Sequence, residues 1–463
     1  MDRPTTLAVL PRGEAIRNFV YTGCLASLRP EHHVTVASVH PSDEIWNVVT
    51  SAADDAVVLE PATEHPRVSQ VRALLDHAHS RYVWSEVHRF RAERRDFEAK
   101  ERGTRVRGAG LSAFARVTGS RRGVQLLSRV ERSVSNRYPA PTSTASRAAE
   151  SADIVFNGSH IHAPAATPVV ASGRRSGATT VAFLFSWDNL TSQGRLLDIY
   201  DHFLVWNESI RDDLLRIYPH FDPARVHVTG TPQFDGHFDP RNHMSRQGWA
   251  DLVGVDATRP VVLYSTGMPW LTPGEPYIVE QIADALATMS DLGSPQLLVR
   301  VYAKDTTDQF DDLRLRRRDI AFVPPSWEPN YLTPLPADSA LWASTLLHVD
   351  AGINIASTVS LELAMFDKPI LNIAYTPPGI PPAHADFSRY YRFDHYRPVV
   401  TSGAVTLVDD ASMLSPTIRE AIEHPDRQAD VRRALLDQFF GHRLDGEGGL
   451  RVAAALRRIA GER

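Results

Sequence analysis

The sequence predicts an α/β protein with two parallel-sheet domains and a helical insertion in the first. Short apolar strands alternate with helical periodicity in residues 1–235, and the same alternation starts again at residue 259. Residues 62–137 interrupt the first series with arginine-rich helical sequence. Alternating strands and helices imply parallel sheets with right-handed crossovers. We therefore expect two such domains facing a central cleft.

Length and composition allow two or three domains. The chain has 463 residues, is 43% hydrophobic and carries a net charge of −5. This slight acidity argues against a general nucleic-acid binder. The only cysteine, Cys24, excludes an internal disulfide and a cysteine-based metal site. The apolar run at 7–10 is too short for a signal-peptide core, and no run reaches the roughly 20 residues of a membrane span. We expect a cytoplasmic protein, with peripheral attachment to the inner membrane face as an option.

The first half opens with a predicted strand at residues 6–10 and a predicted helix over 15–28. Arg12 and Glu14 lie in the turn between them. Ligands of parallel sheets bind beyond the carboxyl ends of the strands, so this turn should border the cleft. The alternative is an ordinary surface turn.

Two polar loops follow later strands of the first half, at residues 157–162 and 185–195. The second combines a carboxylate, an amide, hydroxyls and an indole, which suits hydroxyl-rich ligands such as sugars. The alternative is an Asx-type turn with its tryptophan in the core. The candidate side chains of these loops are His160, His162, Trp187, Asp188, Asn189 and Thr191.

The helical insertion is strongly basic. Residues 81–137 contain 15 Lys/Arg and 6 Asp/Glu, a net charge of +9. Such a surface could rest on anionic lipid or receive an acidic acceptor. The alternative is a solvated face whose apolar stripe packs inward.

Residues 236–258 are polar and predict a linker to the second domain, 259–440. A helix within 441–463 could pack back on the first domain. Within the second domain, the small-residue loop Ser265-Thr266-Gly267 follows a predicted strand. Arg300 and Lys304 lie at the end of the next one, and two such cations suit a diphosphate. The alternative is a pair of solvated surface cations.

Residues 346–375 predict a strand at Leu346–Val349, a polar turn, a helix opening at Ser357-Thr358, and a second strand. Unpaired N–H groups and the helix dipole make such a turn an anion site. Glu362, four residues after Thr358, could then contact the ribose of a nucleotide diphosphate. Ordinary capping is the alternative, although Glu362 is one residue too far along to complete a capping box.

These motifs together resemble the two-Rossmann-domain (GT-B) glycosyltransferases. The similarity is greatest to bacterial surface-carbohydrate enzymes near the CDP-glycerol glycerophosphotransferases and the UDP-GlcNAc 2-epimerases. It covers residues 150–460 well and the first 60 loosely. The segments that carry it are Ser186–Ser192, Val205–Glu208, Val228–Asp235, Ser357–Glu362, Asp394–Tyr396 and Val399–Gly403.

The resemblance implies a nucleotide sugar in the second domain. It implies diphosphate contacts from Ser357 and Thr358, and a ribose contact from Glu362. Arg300 matches the arginine of an Arg-x-His-Pro-x-Asp segment, although Tyr302-Ala303 replaces its His-Pro pair. The chain has no Asp-x-Asp triplet, so we expect no metal and no cofactor. The nucleotide-sugar set is Ser265, Thr266, Gly267, Arg300, Lys304, Ser357, Thr358 and Glu362.

The function predicted from this resemblance is transfer of a sugar to a hydroxyl acceptor, either carbohydrate or lipid-linked, in surface polysaccharide or other glycoconjugate synthesis. An inverting reaction needs a general base. The candidates, in order, are Asp188, Glu14, His160 and His162, with Arg12, Trp187, Asn189 and Thr191 contacting the acceptor. The alternatives are an epimerase acting on the nucleotide sugar, a CDP-glycerol-type polyol-phosphate transferase, and a non-catalytic nucleotide-sugar binder.

Overall fold

A computed structural model describes residues 3–62, 64–101, 105–161, 164–197 and 199–462. The chain divides into two compact units. The first comprises Met1–Asp235, Glu328–Thr333 and Arg443–Arg463, and the second comprises Gly236–Trp327 and Pro334–His442. Each unit is built on one parallel sheet, which confirms the predicted fold class.

The sheet of the first unit has seven strands in the order β3-β2-β1-β4-β5-β6-β7, with parallel neighbours throughout. The strands are β1 (Thr5–Leu10), β2 (His33–Ser38), β3 (Asp55–Val58), β4 (Ile154–Asn157), β5 (Thr179–Phe183), β6 (His202–Val205) and β7 (Val226–Val228). Its helices are α1 (Gly13–Ile16), α2 (Cys24–Leu28), α3 (Asp43–Ser51), α4 (Pro66–Val83), α5 (Glu86–Glu101), α6 (Arg105–Thr118), α7 (Arg121–Arg137), α8 (Thr144–Glu150), α9 (Ala166–Arg175), α10 (Asn189–Ser192) and α11 (Glu208–Ile217).

The central strands β1 and β4 are apolar along their length because helices cover both faces of a parallel sheet. Every residue of β4 is buried, and so are five of the six in β1. The helix predicted over 15–28 is broken. A π-helical turn at Arg17–Tyr21 follows α1, and Gly23 then takes a left-handed conformation (φ 73°) before α2. The prediction of one continuous helix is wrong because a residue in that conformation cannot continue a right-handed helix.

The insertion consists of α4 to α7 and is helical, as predicted. Helix α7 packs along α4, and Arg72 Nε of α4 donates a hydrogen bond to Glu131 at 2.7 Å. Helix α4 is joined to α11 through a buried hydrogen bond of 2.9 Å between the Tyr218 hydroxyl and His79 Nε2. These contacts make the insertion part of the first unit rather than a detached arm.

The segment Arg443–Arg463 belongs to the first unit because Asp235 binds the start of its helix, α21 (Gly448–Gly461). The two carboxylate oxygens of Asp235 accept the N–H groups of Gly448 and Gly449 at 2.9 and 2.7 Å. A Cβ on Gly448 would lie only 2.6 Å from the carbonyl oxygen of Thr231, so this close approach requires glycine.

The sheet of the second unit has six strands in the order β10-β9-β8-β13-β14-β15, again all parallel. They are β8 (Val261–Ser265), β9 (Gln296–Arg300), β10 (Ile320–Val323), β13 (Ala351–Asn354), β14 (Ile370–Ile373) and β15 (Thr406–Val408), while β11 (Trp327–Glu328) pairs with β12 (Thr333–Pro334). The helices are α12 (Arg246–Val253), α13 (Glu275–Ala287), α14 (Asp311–Arg316), α15 (Pro336–His348), α16 (Val359–Met365), α17 (Phe387–Tyr390), α18 (Arg397–Thr401), α19 (Leu414–Glu423) and α20 (Ala429–Phe440).

The strand predicted at Leu346–Val349 is wrong. Leu346 lies in the last turn of α15, Val349 follows that helix, and the strand itself is β13. A short apolar run fits a buried helix end as well as a buried strand, and here it extends the apolar face of α15 that includes Leu341.

Candidate functional site

The second unit has a topological switch point between β8 and β13. After β8 the chain builds β9 and β10 on one side, then returns to place β13 on the other side of β8. Connections that leave in opposite directions open a crevice beyond the carboxyl ends of the two strands, where parallel sheets bind ligands. The loop at Ser265–Gly267 and the turn at Ser357-Thr358 follow these two strands, and Arg300 ends the neighbouring β9. The topology therefore groups the predicted nucleotide-site residues along one edge.

The loop after β8 is held by Glu275, the first residue of α13. Its carboxylate accepts the Gly267 N–H at 2.8 Å, the Tyr264 hydroxyl at 2.9 Å and the Thr272 hydroxyl at 3.0 Å. Glu275 is completely buried, and this burial raises its pKa to about 7. A Cβ on Gly267 would lie 2.6 Å from Thr272 Oγ1, so the loop closes tightly around the carboxylate. Ser265 and Thr266 are both buried at its start.

The turn after β13 rests on a buried polar network. The side-chain oxygen of Asn354 accepts the Ser357 N–H at 3.1 Å and an Asn372 side-chain N–H at 3.1 Å. The Tyr396 hydroxyl lies 2.7 Å from Ser360 Oγ and donates to the side-chain oxygen of Asn372 at 2.8 Å. Each of these bonds satisfies a group that would be costly to bury alone, so the network fixes the turn to the core of the sheet.

Helix α16 begins at Val359, one residue beyond the predicted opening. The hydroxyl of Ser357 accepts the Val359 N–H at 3.3 Å, whereas Thr358 precedes the helix without a side-chain capping bond. Because α16 has only 7 residues, its dipole alone is a weak anion attractor.

Glu362 is buried, which excludes a solvated surface glutamate. Its Oε2 atom accepts a hydrogen bond from the indole N–H of Trp342 and lies 3.2 Å from His237 Nε2. Both partners belong to the second unit. A carboxylate held by two such neighbours has one defined position, and each carboxylate oxygen can accept more than one hydrogen bond.

Arg300 is also buried and is not a solvated cation. Its Nη2 atom donates to both carboxylate oxygens of Asp338 at 2.6 and 2.8 Å, and Nη1 donates to the Pro324 carbonyl at 3.1 Å. Much of its charge is therefore offset within the unit. Lys304 is half-buried, with its ammonium 5.8 Å from the centroid of the Tyr302 ring.

The first unit has its own switch point, between β1 and β4. After β1, Arg12 donates two hydrogen bonds to Glu14, at 3.1 and 2.8 Å, and its guanidinium carbon lies 5.9 Å from the Phe185 ring centroid. After β4, His160 Nδ1 lies 3.1 Å from the Phe183 carbonyl oxygen. Glu14 is buried, so the interpretation as an ordinary surface turn is wrong. His162 lies outside the described residues.

The loop after β5 continues the same edge, because β5 pairs with β4. Asp188 accepts hydrogen bonds from Ser192 Oγ and, at 3.1 Å, from Gln193 Nε2. Asn189 is buried, and its side-chain oxygen accepts the N–H of Ser186, three residues earlier, at 2.9 Å. An Asx turn would bind the backbone two residues further on, so this bond fixes the loop without forming one.

Trp187 in this loop is half-buried rather than a core residue. The carbonyl of Thr191 accepts a hydrogen bond from Ser85 Oγ, just before α5, so the insertion supports the loop.

Sequence reasoning missed the side chains that hold the predicted ones in place. Most of them stand in no recognisable motif and are distant in sequence from the residue they support. Tyr396 is an exception because it lies in the segment Asp394–Tyr396, and Asn354 and Glu275 are exceptions because they are close in sequence to Ser357 and Gly267. An acidic residue at the start of a helix after a glycine is the one signal that could have identified Glu275. The missed residues are His237, Glu275, Asp338, Trp342, Asn354, Asn372 and Tyr396.

The described ranges contain no cluster of three or more His, Cys, Asp or Glu side chains arranged to hold a metal ion. Across the same ranges, no helix is both long and apolar enough to cross a membrane. The expectation of a metal-free reaction stays a prediction.

The two sheets and their switch points define a protein with two Rossmann-like domains, as in the GT-B fold. No family model and no curated protein matches the sequence. Solved structures are similar over the whole chain. UDP-GlcNAc 2-epimerase from Neisseria meningitidis bound to UDP-GlcNAc matches with a TM-score of 0.53 and 10% identity, covering 99% of this chain and 100% of that one.

A second UDP-N-acetylglucosamine 2-epimerase matches with a TM-score of 0.52 and 13% identity, covering 100% of this chain and 98% of that one. S. aureus MnaA with UDP matches with a TM-score of 0.50 and 12% identity, covering 100% of this chain and 97% of that one. At these identities the similarity establishes the fold, and the predicted GT-B-type resemblance is confirmed at that level.

Proposed function

We propose that this protein is a metal-independent glycosyltransferase that binds a nucleotide sugar in its second unit and transfers the sugar to an acceptor hydroxyl. The observation that carries the proposal is Glu362, a buried carboxylate with defined neighbours in the first turn of α16, the helix that follows the switch-point strand β13. This position suits a ribose, whose two adjacent hydroxyls need a fixed acceptor. The acceptor substrate would be a carbohydrate or a lipid-linked glycan.

The diphosphate would lie over the turn at Ser357-Thr358 and the loop at Ser265–Gly267. Charge that develops on the leaving diphosphate would be offset by Lys304. The Ser357 and Val359 N–H groups of the turn already donate to Asn354 and to Ser357 Oγ. Arg300 would contribute less than the sequence suggested, because Asp338 already binds its guanidinium. We assign it mainly to supporting the edge of the site.

The acceptor hydroxyl would be deprotonated by a residue of the first unit. Asp188 is our first candidate for the general base, because its carboxylate is half-buried and is held in the loop after β5 by hydrogen bonds from Ser192 and Gln193. Glu14 is second, since its charge is already paired with Arg12.

His160 and His162 remain candidates for the general base only because the sequence places them in the loop at residues 157–162. Arg12, Trp187, Asn189 and Thr191 would border the acceptor. Asn189 and Thr191 are buried in the loop, so they would act mainly by shaping it.

A thermal-shift screen with UDP, GDP, CDP, dTDP and CMP tests the donor site, because a ligand that binds only the folded state raises its stability. We expect one nucleoside diphosphate to stabilise the protein. The variant Glu362→Gln should weaken that nucleotide at least tenfold, whereas Glu420→Gln, an ion-paired surface glutamate of the same unit, should not. Equal affinities in the wild type and Glu362→Gln would refute the assignment.

A UDP-GlcNAc 2-epimerase activity is the second candidate, and the epimerases among the similar structures favour it. An epimerase must remove and return a proton at the sugar, for which Glu362 and His237 offer adjacent groups. Incubating the enzyme with UDP-GlcNAc and no acceptor separates the two activities. An epimeric product supports the epimerase, whereas a sugar acceptor requirement supports the transferase. Tight nucleotide binding without either product would indicate a non-catalytic binder.

A further inference from the structure

Helix α7 of the insertion has an outward face that is both basic and apolar. Arg122, Leu126, Arg129, Val130 and Arg137 recur at helical spacing, so they lie on one side of the helix. All five are exposed, and Leu126 and Val130 show 60% and 41% of their surface to solvent. Large apolar side chains on a solvated helix face need an explanation when they occur between arginines.

Packing within the first unit does not use this face. The side of α7 that packs against α4 carries Val124, Leu127 and Val134, which are half-buried. Glu131, the one acidic residue in the α7 sequence, is on this inner side and pairs with Arg72. The outward face therefore has no acidic residue of its own helix to balance its arginines.

The adjacent end of α6 extends the same surface chemistry. Arg116 and Val117 are exposed there, and Val117 shows 82% of its surface to solvent. We define the basic-apolar surface as the exposed side chains Arg116, Val117, Arg122, Leu126, Arg129, Val130 and Arg137.

We infer that the basic-apolar surface docks on an anionic lipid bilayer, with the axis of α7 lying along the membrane. Interfacial helices combine cationic side chains, which pair with lipid phosphates, with apolar ones that enter the headgroup boundary. A nucleic acid would use the arginines but would gain little from Leu126 and Val130, since its backbone offers phosphates and no apolar layer. The inference is independent of the reaction that the protein catalyses.

Helix α14 of the second unit provides an internal contrast. Leu315 is 67% exposed there, and arginines flank it. Those arginines are compensated, since Arg314 pairs with Asp311 and Arg316 pairs with both Asp312 and Glu280. An exposed leucine beside arginines therefore does not by itself make a membrane-binding surface. Such a surface also needs arginines whose charge is not compensated by acidic neighbours.

Co-sedimentation of the full chain with vesicles tests the inference. We expect binding to phosphatidylcholine vesicles that contain phosphatidylglycerol, and at least tenfold weaker binding to pure phosphatidylcholine. Raising the salt from about 0.1 M to about 0.5 M should weaken binding several-fold, because it screens the phosphate contacts. Equal binding to both vesicle types, or none to either, would overturn the inference, as would a nucleic-acid duplex bound more tightly than the anionic vesicles.

Variants separate the two components of the surface. Replacing Arg122, Arg129 and Arg137 together with Gln should reduce binding by about a hundredfold, at about fivefold for each arginine. Leu126→Ser with Val130→Ser should also weaken binding to anionic vesicles while preserving its salt dependence. Unchanged binding in the first variant would contradict the proposed surface.

The matched control replaces Arg314, Arg316 and Arg318 of the second unit with Gln. It removes the same charge next to the exposed Leu315 and should leave vesicle binding within twofold of the wild type. An equal loss in both triple variants would mean that net charge, and not this surface, governs binding. Thermal unfolding, measured on every variant, shows that the loss is not caused by unfolding.

Discussion

The two units hold the loops at their strand ends in different ways. In the second unit, the loops after β8 and β13 are bonded to buried groups of the core, Glu275 and the network around Tyr396. In the first unit, recorded bonds of the loops after β1 and β5 join polar side chains of the same loop, as in the Arg12–Glu14 and Asp188–Ser192 pairs, and the insertion contributes the bond from Ser85 to the Thr191 carbonyl. We expect the proposed donor site to be rigid, because changing its shape would break bonds to buried groups of the core.

The buried ionisable groups of the two units also differ. Burial raises the pKa of Glu275 in the second unit to about 7, and burial lowers the pKa of His79 in the first unit to about 3. Each group is therefore neutral in the folded protein over a pH range in which it is charged in the unfolded chain. Their effects on stability consequently have opposite signs with pH.

The largest effect should come from removing Glu275. The variant Glu275→Leu leaves the Gly267 N–H and the Tyr264 and Thr272 hydroxyls without their acceptor. At about 1–3 kcal/mol for each buried unsatisfied donor, we expect about 4 kcal/mol of destabilisation and loss of binding of the nucleoside diphosphate that the thermal-shift screen identifies. Urea unfolding, monitored by tryptophan fluorescence, measures this change in the free energy of unfolding. Glu280→Leu on the same helix, where the glutamate pairs only with the surface Arg316, should cost less than about 1 kcal/mol.

The isosteric variant Glu275→Gln tests how protonation of Glu275 affects stability, because a glutamine side chain does not titrate. Folded protein retains the Glu275 proton up to about pH 7, whereas the unfolded chain releases it near pH 4.5, the ordinary pKa of the group. The folded state binds more protons in this interval, so wild-type stability should fall relative to Glu275→Gln as the pH rises, by up to about 3 kcal/mol. A pH-independent difference would show that Glu275 remains ionised in the fold.

The opposite dependence should come from His79. Unfolded chain protonates this histidine near pH 6.5, whereas the folded state does so only near pH 3, because burial disfavours the imidazolium. Wild-type stability should therefore fall as the pH decreases from about 6.5 to 4, by about 3 kcal/mol. His79→Phe, which keeps a ring against Tyr218, lacks this component. If both proteins lose stability equally between these pH values, His79 does not cause acid destabilisation.

A pair of tyrosines tests whether buried bonds matter for ligand binding or only for folding. Tyr396→Phe removes the hydroxyl that joins Ser360 to Asn372, and Tyr200→Phe removes the acceptor of the Asn157 amide at the end of β4. We expect each to cost about 1–2 kcal/mol in unfolding experiments. Only Tyr396→Phe should also weaken binding of the nucleoside diphosphate identified in the screen, by about threefold to tenfold in calorimetry. Equal affinities for that nucleotide in the two variants would show that the network does not support the proposed site.

Much of the fold could be predicted from the sequence, because alternation of strand and helix reports parallel sheets directly. The errors arose where a local pattern fits two structures. The apolar run at Leu346–Val349 suits a strand as well as the end of α15, and periodicity over 15–28 does not reveal the π-helical turn or the break at Gly23. Only the tertiary contacts decide these cases.

The positions of the candidate residues at strand ends could be predicted from the sequence, whereas their contacts could not. Strand order places the predicted loops along one edge of each sheet, as their positions after strands indicated. The partners of the charged residues could not be predicted, because Asp338 and Trp342 belong to another helix, α15. Arg300 therefore looked like a free cation in the sequence and is an ion-paired group in the fold. Pairing of this kind depends on distances that spacing along the chain does not encode.

The smallest expected effect compares two serine caps, one in each unit. Ser357 Oγ accepts the Val359 N–H before α16, and Ser42 Oγ accepts the Ile45 N–H before α3. Replacing either serine with Ala should cost about 0.5–1 kcal/mol, because both remove one capping bond. If Ser357 also contacts the diphosphate, Ser357→Ala should weaken binding of the nucleoside diphosphate identified in the screen about fivefold, whereas Ser42→Ala should leave its affinity unchanged. Equal affinities in these variants would assign Ser357 to capping alone and move the diphosphate toward Lys304 and the Ser265–Gly267 loop.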